Sequence, residues 1–379
     1  MSRWTIYFWE PCVSPHKLAL FRALLDHEQI DHCVYVTQEV MLAERLTQGW
    51  PIEPVDDLDV RVGPTEDEVR RIVADAPANA LHLFSCVHWV PCVVQGLRAA
   101  VEENARFAIM AEPRVKEGVK GLLRLAHSWA TERHVRRNAD FVLAIGRNGP
   151  SWFRRTGYRR DRIFPFAYFL PLLPATGPSA MRDVPKIGYL GRLIKPKGFD
   201  LFLEAMPLLR HPASIAIAGS GDRADAIAVL ARQMPGHVDF RGTMNMADVP
   251  SFLADIDILV LPSITTDDGW GAVVSEALMA GAAVVATHKV GASVCLDVAW
   301  RGAVSQSLSP ARLAKVVDDV LVQKDLMGET QRQRRRAWAN DHLSGHAGAA
   351  YVLKILDHVY DKGKRPVAFY DDVQEVEGA

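Results

Sequence analysis

Short β-rich runs alternate with helical patterns along almost the whole chain, and this alternation constrains the fold more than any other feature. In the first half, strands are predicted at 5–9, 33–37, 80–85, 106–111 and 141–145, with helices at 17–26, 66–74, 91–103 and 121–137. In the second half, strands are predicted at 187–190, 214–218, 238–241, 258–261 and 283–286, with helices at 200–209, 224–233, 247–254 and 273–280. Strands separated by helices of this length pair in parallel and are covered on both faces. The sequence therefore predicts an α/β protein of two Rossmann-like, doubly wound domains facing a central cleft.

A proline-rich passage separates the two halves. Its prolines lie at 165, 171, 174, 178 and 185, and proline lacks an N–H donor and fixes φ. The passage is therefore expected to be neither a helix nor a central strand. We predict an N-terminal domain at 1–170, a linker at 171–185 and a C-terminal domain at 186–345. A helix and a tail follow at 346–379, and one alternative is that this helix crosses back to the first domain.

Charge and composition exclude several classes of protein. The 379 residues carry 44 Lys and Arg against 45 Asp and Glu, so no nucleic-acid partner is expected. Five cysteines without CxxC spacing predict reduced thiols, and no apolar stretch reaches about 18 residues. The expected location is the cytoplasm. Residues 98–162 hold 15 basic and 7 acidic residues, which indicates either a solvated face or a surface attracted to anionic lipid or phosphate. In the lipid case the protein is expected at the inner face of the plasma membrane.

Three strand-to-helix turns of the second half carry the residues that indicate chemistry. Ligands of open parallel sheets bind at such turns, where helix N-termini present free N–H groups. The first turn, 191–198, holds Arg192 and Lys197, both suited to phosphate oxygens. The second, 267–281, has bare backbone at Gly269 and Gly271 before a helix that begins near Ala272.

Carboxylates accompany the second turn, and the third turn resembles a dinucleotide-binding pattern. Asp268 and Glu276 accept hydrogen bonds only, which suits sugar or ribose hydroxyls beside a phosphate site. The third turn reads G-x-G-x-x-A from Gly219 and Gly221, with Asp239 following at nearly the expected spacing. The dinucleotide-binding glycines normally lie in the turn after the first strand of their domain. This turn follows the second predicted strand, so the signal for a nicotinamide cofactor is weak.

Together these motifs resemble those of the retaining, nucleotide-sugar-dependent glycosyltransferases of family 4, which have the GT-B fold. The resemblance spans residues 187–291, and its elements follow one another in the family's order. They are the family's E-x(7)-E as Asp268-x(7)-Glu276, G-R-x(4)-K-G as Gly191-Arg192 and Lys197-Gly198, G-x-G as Gly219 and Gly221, and F-x-G as Phe240 and Gly242. The first acid is Asp rather than Glu, which shortens its reach to the sugar by one methylene.

The resemblance implies a role for each matched residue. Arg192 and Lys197 would neutralise the donor diphosphate, Glu276 would hold the ribose hydroxyls, and Asp268 would contact the transferred sugar. The remaining donor-binding candidates are Gly191, Gly219, Gly221, Arg241, Gly242, Gly269, Trp270, Gly271, Ala272 and Val273. The expected donor is a UDP-sugar or GDP-sugar, without a metal or other cofactor. The expected acceptor is a glycan or lipid-linked glycan of bacterial surface polysaccharide assembly.

The first half of the chain gives weaker indications of which residues are functional. His16 lies where a helix begins after the first strand, and Ser14-Pro15-His16 is similar to a variant in bacterial polysaccharide glycosyltransferases. His16 would touch the donor phosphate or the acceptor, although a purely structural role at the helix start is equally open. His88, Glu112 and Arg147 follow predicted strand ends and are candidates for the acceptor side.

Other interpretations remain open at this point. An NAD(P)-dependent oxidoreductase would use the Gly219-x-Gly221 turn, and a non-catalytic sugar-nucleotide-binding protein would tolerate Asp268 in place of Glu. A GT-B phosphorylase or synthase of storage sugar is a nearer enzyme alternative. Two further clusters are expected to be solvent-exposed without function: the Asp57-Leu58-Asp59 loop, and a helix face formed by Arg332, Arg334, Arg335 and Arg336.

Overall fold

The computed structural model describes residues 3–47, 49–52, 54–173, 182–266 and 269–371. The chain forms two compact units, the first comprising 1–171 with 343–379 and the second comprising 172–342. Each unit contains a parallel sheet covered by helices, which confirms the predicted α/β class with two doubly wound domains.

The first unit is built on a seven-stranded parallel sheet with the order β3-β2-β1-β4-β5-β6-β7. Its central strands are almost wholly apolar and buried, as expected for a sheet covered on both faces. Ile6 of the first strand is in register with Cys33 on one side and Leu81 on the other. The strands are β1 (Trp4–Cys12), β2 (Ile30–Glu39), β3 (Asp59–Val62), β4 (Ala80–Phe84), β5 (Phe107–Ala111), β6 (Phe141–Ile145) and β7 (Ile163–Phe166).

Helices of the first unit follow most of these strands, and one comes from the far end of the chain. Within the chain's first half they are α1 (Pro15–Leu25), α2 (Ala43–Thr47), α3 (Glu66–Ala74), α4 (Pro91–Glu102), α5 (Gly118–Thr131), α6 (Arg133–Asn138) and α7 (Gly149–Arg155). The C-terminal helix α14 (Gly345–Tyr360) packs against α1, and a Cβ at Gly345 would overlap the backbone of Ala19. The residues at 345–360 thus belong to the first unit.

Two strands of the first unit have no counterpart in the prediction, and both lie at an edge of the sheet. Asp59 begins β3 and accepts hydrogen bonds from His32 (3.0 Å) and Arg61 (3.3 Å), so the expectation of a loop at 57–59 is wrong for that residue. Pro165 lies within β7, where a missing N–H is tolerated because the strand has only one neighbour.

The second unit contains a six-stranded parallel sheet with the order β10-β9-β8-β11-β12-β13. Strands β9 and β11 have the bounds that the sequence predicts. The strands are β8 (Lys186–Leu190), β9 (Ser214–Ala218), β10 (Val238–Phe240), β11 (Ile258–Leu261), β12 (Ala283–Thr287) and β13 (Gly302–Ser305). The helices are α8 (Phe199–Ala205), α9 (Ile227–Gln233), α10 (Val249–Asp255), α11 (Ala272–Met279), α12 (Pro310–Leu321) and α13 (Glu329–Leu343).

The arginine cluster on α13 is not an exposed helix face. Arg332 and Arg335 are buried, and Arg334 alone of the four is exposed. Arg335 donates to the carbonyls of Gly281 (2.9 Å) and Trp300 (2.8 Å), while Arg336 donates to Ala280 (3.1 Å). These guanidinium groups satisfy carbonyls at the C-terminal end of α11, where a cation also interacts favourably with the helix dipole. The prediction of a solvated face is therefore wrong for Arg332 and Arg335.

Two further findings concern features that the sequence raised. All five cysteines are buried thiols without disulfide bonds. Within the described ranges no helix combines the length and apolar character needed to cross a bilayer.

Candidate functional site

The glycine turns of the second unit lie together at the carboxyl edge of its sheet. Backbone hydrogen bonds join the turn after β8 to the turn after β9, from Gly191 to Ala218 (3.1 Å) and from Leu193 to Ser220 (2.8 Å). Gly219 donates to Gly242 after β10 (2.7 Å). The candidate donor site is thus built largely from main chain.

The same edge continues across the other half of the sheet. Ile264, after β11, donates to the carbonyl of Pro196 (3.0 Å), and Ala292, after β12, donates to that of Trp270 (2.7 Å). The turns that the sequence singled out therefore form one connected surface. In a fully extended chain the first and last of them would be hundreds of ångströms apart.

Glycine is required at two of these turns by close approach of another backbone segment. Gly198 has φ +70°, and a Cβ there would overlap the carbonyl of Pro262. Gly219 has φ +139°, and a Cβ there would overlap the carbonyl of Gly191. Side chains at either position would push the turns apart.

Arg192 and Lys197 occupy the turn between β8 and α8. The Tyr189 hydroxyl donates to the carbonyl of Arg192 (2.9 Å), which fixes the start of the turn. Lys197 lies in a short 3-10 helix, Lys195–Lys197, and is partly buried, whereas Lys195 in the same turn is exposed. The two cations are thus held in a structured loop at the strand end, where a diphosphate would require them.

Helix α11 begins at this edge and carries Glu276 in its second turn. Its N-cap residue, Gly271, has φ +85°, and among the described residues no side chain caps the helix start. Within the described residues the Glu276 carboxylate has no hydrogen-bond donor, and burial raises the pKa of this group to about 7. A carboxylate in this state gains stability when ligand hydroxyls donate to it.

The turn before α11 is anchored by Trp270. Its side chain is fully buried, and its indole N–H donates to Ser275 Oγ (3.0 Å). Trp270 thus offers a ligand its backbone rather than its indole ring. Asp268, the predicted sugar contact, lies outside the described residues, as does Asp267.

Arg241 and Asp239 are engaged with each other at the end of β10. Arg241 donates to Asp239 (2.9 Å) and to Asp255 (3.1 Å), and its guanidinium lies over the Phe252 ring. The residues after the Gly219-x-Gly221 turn form a short 3-10 helix, Ala224–Ala226, before α9. The acidic residue that the nicotinamide interpretation requires for a ribose is therefore paired with a cation.

The carboxyl edge of the first sheet is lined by side chains instead of glycine turns. The His16 ring lies between Trp50 (4.7 Å between ring centroids) and Tyr168 (6.2 Å). Burial lowers the pKa of His16 to about 4, so the imidazole is neutral near pH 7. Tyr168 donates to Glu112 (2.6 Å), which brings together two of the predicted candidates, His16 and Glu112.

A buried ion pair at this edge was missed by the sequence analysis. Lys17 donates to Glu10 (2.5 Å), and the ammonium lies 5.7 Å from the Tyr168 ring centroid. Burial raises the pKa of Glu10, and the neighbouring Lys17 opposes that rise. The available signal was the position of Glu10 near the end of β1 with Lys17 in the first turn of the next helix.

His88 follows β4 and Arg147 follows β6 of the same sheet. His88 is hydrogen-bonded to Glu132 (2.9 Å), which also accepts from the Tyr158 hydroxyl (3.0 Å). Arg147 is partly buried in the turn after β6, next to Asn148, which accepts from Lys116 (2.7 Å). His88 therefore belongs to a hydrogen-bonded group with Glu132 and Tyr158. In the part of the chain that the structure describes, no three His, Cys, Asp or Glu side chains are grouped to hold a metal ion.

Comparison with known proteins agrees with the fold of the chain. Residues 184–323, which contain the glycine turns, match the family model described as Glycosyl transferases group 1. The crystal structure of the Anabaena protein HepE in complex with UDP superposes with a TM-score of 0.70 at 16% identity, covering 93% of this chain and 100% of that one. The chain has the GT-B fold.

Curated relatives match part of the chain. A glycosyltransferase of Methanocaldococcus jannaschii described as uncharacterized is 33% identical over 143 residues, which is 37% of this chain and 36% of the relative. A GDP-mannose-dependent α-(1-6)-phosphatidylinositol monomannoside mannosyltransferase of Mycobacterium tuberculosis is 29% identical over 174 residues, 42% of this chain and 45% of the relative. The match spans less than half the length of either relative. The predicted resemblance of this GT-B chain to glycosyltransferases is confirmed.

Proposed function

We propose that this protein is a retaining glycosyltransferase that moves a sugar from a nucleoside diphosphate sugar to a glycan or lipid-linked glycan of bacterial surface polysaccharide assembly. One observation carries the proposal. The turn with Arg192 and Lys197 lies on one backbone-built edge with Glu276 and with the start of α11, where the N-cap residue is a glycine. Cations and free N–H groups suit a diphosphate, and a desolvated carboxylate suits the hydroxyls of a sugar or ribose.

The reaction places its negative charge where these groups lie. The bond between the anomeric carbon and the diphosphate oxygen breaks, and a bond to the acceptor oxygen forms on the same face of the sugar. The hydroxyl proton of the acceptor passes to the departing diphosphate. Arg192 and Lys197 stabilise the charge that develops on the leaving group, and preorganised groups of this kind are the largest single contribution in many enzymes. The proposal assigns this task to side-chain cations and names no metal or organic cofactor.

Glu276 binds hydroxyls of the donor in this proposal. Its pKa of about 7 reflects a partly buried carboxylate with no hydrogen-bond donor among the described residues, and donor hydroxyls would supply hydrogen bonds to it. Asp268 remains the proposed contact to the transferred sugar. The donor base is uracil or guanine, since HepE was solved with UDP and the mycobacterial relative is named as GDP-mannose-dependent.

The first unit binds the acceptor in this proposal. His16, Glu112 and Tyr168 present a neutral imidazole, a carboxylate and a phenol at one sheet edge, which are donors and acceptors suited to sugar hydroxyls. The lipid-linked form of the acceptor is supported by the basic balance of residues 98–162 and by the phosphatidylinositol mannoside in the name of the mycobacterial relative. The acceptor would then be met at an anionic membrane surface from the cytoplasmic side.

A thermal-shift panel with UDP, GDP, ADP, dTDP and NADH at equal concentrations tests the donor class. A ligand at about 100 times its Kd adds roughly 2.7 kcal/mol of apparent stability. We expect UDP or GDP alone to raise the transition temperature. Lys197→Ala should reduce that rise, while Lys195→Ala, which removes an exposed lysine of the same turn, should leave it unchanged. A rise with NADH alone would favour the oxidoreductase and contradict the proposal.

The stereochemistry and the presence of catalysis need a second measurement. Incubation with the donor identified above, followed by NMR of the released or transferred sugar, should show the anomeric configuration of the donor. An inverted product would contradict the retaining mechanism. Binding of the nucleotide without turnover of its sugar on any acceptor would favour the non-catalytic sugar-nucleotide-binding protein.

A further inference from the structure

Helix α5 of the first unit is packed in the reverse of the usual way. Its buried residues are Gly121 and Ser128, whereas Val119, Leu122, Leu123 and Trp129 are between 60% and 74% exposed. Surface helices normally turn their large apolar residues toward the core. Here Leu125 is the large apolar side chain of the helix that packs against the core.

The exposed residues form a continuous stripe. Positions 119, 122, 123, 126 and 129 recur at the three- and four-residue spacing that places side chains on one face of a helix. The helix of 14 residues is about 21 Å long, so the stripe extends over most of that length. Isolated exposed apolar residues are ordinary, but a continuous apolar stripe indicates a contact with a partner or a membrane.

Small residues of α5 face inward because the helix packs closely against the backbone beneath it. A Cβ at Gly121 would overlap the backbone of Lys116, because the chain that leads into α5 passes directly beneath it. The helix is therefore held by its smallest residues and by the Arg136 side chain, which donates to the carbonyl of Trp129 at its C-terminal end (2.7 Å). This attachment leaves the apolar stripe outward.

Positive charge surrounds the stripe. Neither α5 nor α6 contains an acidic residue, and residues 114–137 hold seven basic and two acidic residues. Of the two acidic residues, Glu132 is buried and hydrogen-bonded to His88 and Tyr158. Lys120 and Arg137 are exposed. An apolar stripe with basic flanks has the pattern of a helix that lies in the interface of an anionic bilayer.

We propose that α5 is the membrane-binding surface of this protein, with the stripe of Val119, Leu122, Leu123 and Trp129 inserted among anionic phospholipids. A second copy of the chain is a poor occupant, because two such faces would bring their basic flanks together. The inference rests on the proposed function only for its purpose, which is to bring the enzyme to a lipid-linked acceptor. The surface itself is argued from α5 and α6.

Co-sedimentation with vesicles tests the proposal. We expect the full chain to bind phosphatidylcholine vesicles that contain about a third phosphatidylglycerol, to bind pure phosphatidylcholine far less, and to dissociate as salt increases. Leu122→Ser combined with Leu123→Ser should lower the partition coefficient at least about tenfold. The matched control, Leu208→Ser with Val322→Ser, removes apolar side chains of 50% and 58% exposure in the second unit and should change nothing.

A charge reversal measures the electrostatic contribution to vesicle binding separately from the apolar contribution. Lys120→Glu should weaken vesicle binding at least about fivefold, whereas Lys354→Glu, an exposed lysine of α14, should not. Three results would each overturn the proposal. The chain binds neutral vesicles as well as anionic ones, or the control variants lose as much binding as the α5 variants. The third is a dimer in sedimentation velocity that dissociates in the Leu122/Leu123 variant. The nucleotide thermal shift is measured on the same variants. If an α5 variant loses vesicle binding but keeps its nucleotide thermal shift, the result bears on α5 alone. If the unsubstituted chain shows no nucleotide thermal shift, the proposed enzyme function fails while the membrane proposal is still tested by the vesicles.

Discussion

The carboxyl edges of the two sheets solve the problem of binding in different ways. The edge of the second sheet is made of glycine turns joined by main-chain hydrogen bonds, and its Glu276 carboxylate has no donor within the described residues. The edge of the first sheet is made of side chains that bind one another, as in the Lys17–Glu10 pair and the Tyr168–Glu112 pair. In the proposed function this difference has a reason. The diphosphate is the same in every nucleotide sugar, so backbone groups suffice to bind it, whereas acceptors differ between enzymes and their recognition requires side chains that differ too.

The largest expected effect concerns the cations of the second edge. Lys197→Ala should lower turnover of the donor about a hundred- to a thousandfold with the fold intact, because one preorganised donor to the leaving diphosphate is lost. Lys195→Ala is the matched control and should retain near-normal turnover. Initial rates with the donor found by the binding panel give the comparison. Equal rates in the two variants would remove Lys197 from the mechanism.

At the first edge, stability should depend on side-chain pairing. Lys17→Met leaves the Glu10 carboxylate buried without its partner and should lower the free energy of unfolding by about 3 kcal/mol at pH 8. The pKa of Glu10 is raised by burial, and loss of Lys17 raises it further. Protonation removes the unpaired charge, so the deficit should shrink as the pH falls. Denaturant unfolding at pH 8 and pH 5 measures this, and a deficit independent of pH would show that packing alone was lost.

Backbone contact should matter most at the second edge. Gly198→Ala places a methyl group against the carbonyl of Pro262 and should lower the free energy of unfolding by about 2–3 kcal/mol. Gly236→Ala is a close control, since Gly236 has a similar φ (+75° against +70°) with no atom near its Cβ position. That variant should lose only about 1 kcal/mol. Equal losses would mean that φ strain, rather than the contact between turns, sets the requirement for glycine.

The smallest expected change is a gain in stability. An acid whose folded pKa is raised to about 7 binds its proton more tightly in the folded state than in the unfolded one. Its contribution is therefore favourable at low pH and is lost between about pH 4.5 and 7. Glu276→Gln should raise the free energy of unfolding by about 1–2 kcal/mol at pH 8 and by nothing at pH 4.

The same substitution should weaken nucleotide binding, since the hydroxyl acceptor is impaired. Binding to the unsubstituted chain should tighten as the pH rises through 7, because donor hydroxyls favour the ionised carboxylate. Glu204→Gln, on the exposed face of α8, removes the same charge and should change neither property. A Glu276→Gln variant that binds nucleotide normally at every pH would place the carboxylate outside the site.

Local patterns made the second sheet predictable. Strands β9 and β11 have their predicted bounds because each is a short, mainly apolar run that ends at a turn signal. Gly198 and Gly219 were marked as ligand-facing turns because glycine next to a strand end is a local signal. Strands β3 and β13 were missed because their sequences, DVRV and GAVS, lack a run of large apolar residues.

The chain's sequence determined its alternation of strands and helices, its glycine turns and the motif on which the proposed nucleotide-sugar site rests. Only the tertiary structure decided which face of each element is covered. It buried Arg332 and Arg335 of α13 against distant segments, where they donate to the carbonyls of Ile256 and Gly281. It also joined α14 to the first unit, and turned the large side chains of α5 outward. The physical reason is that strand and helix periods arise from neighbours along the chain, whereas burial and pairing depend on residues that are far apart in sequence.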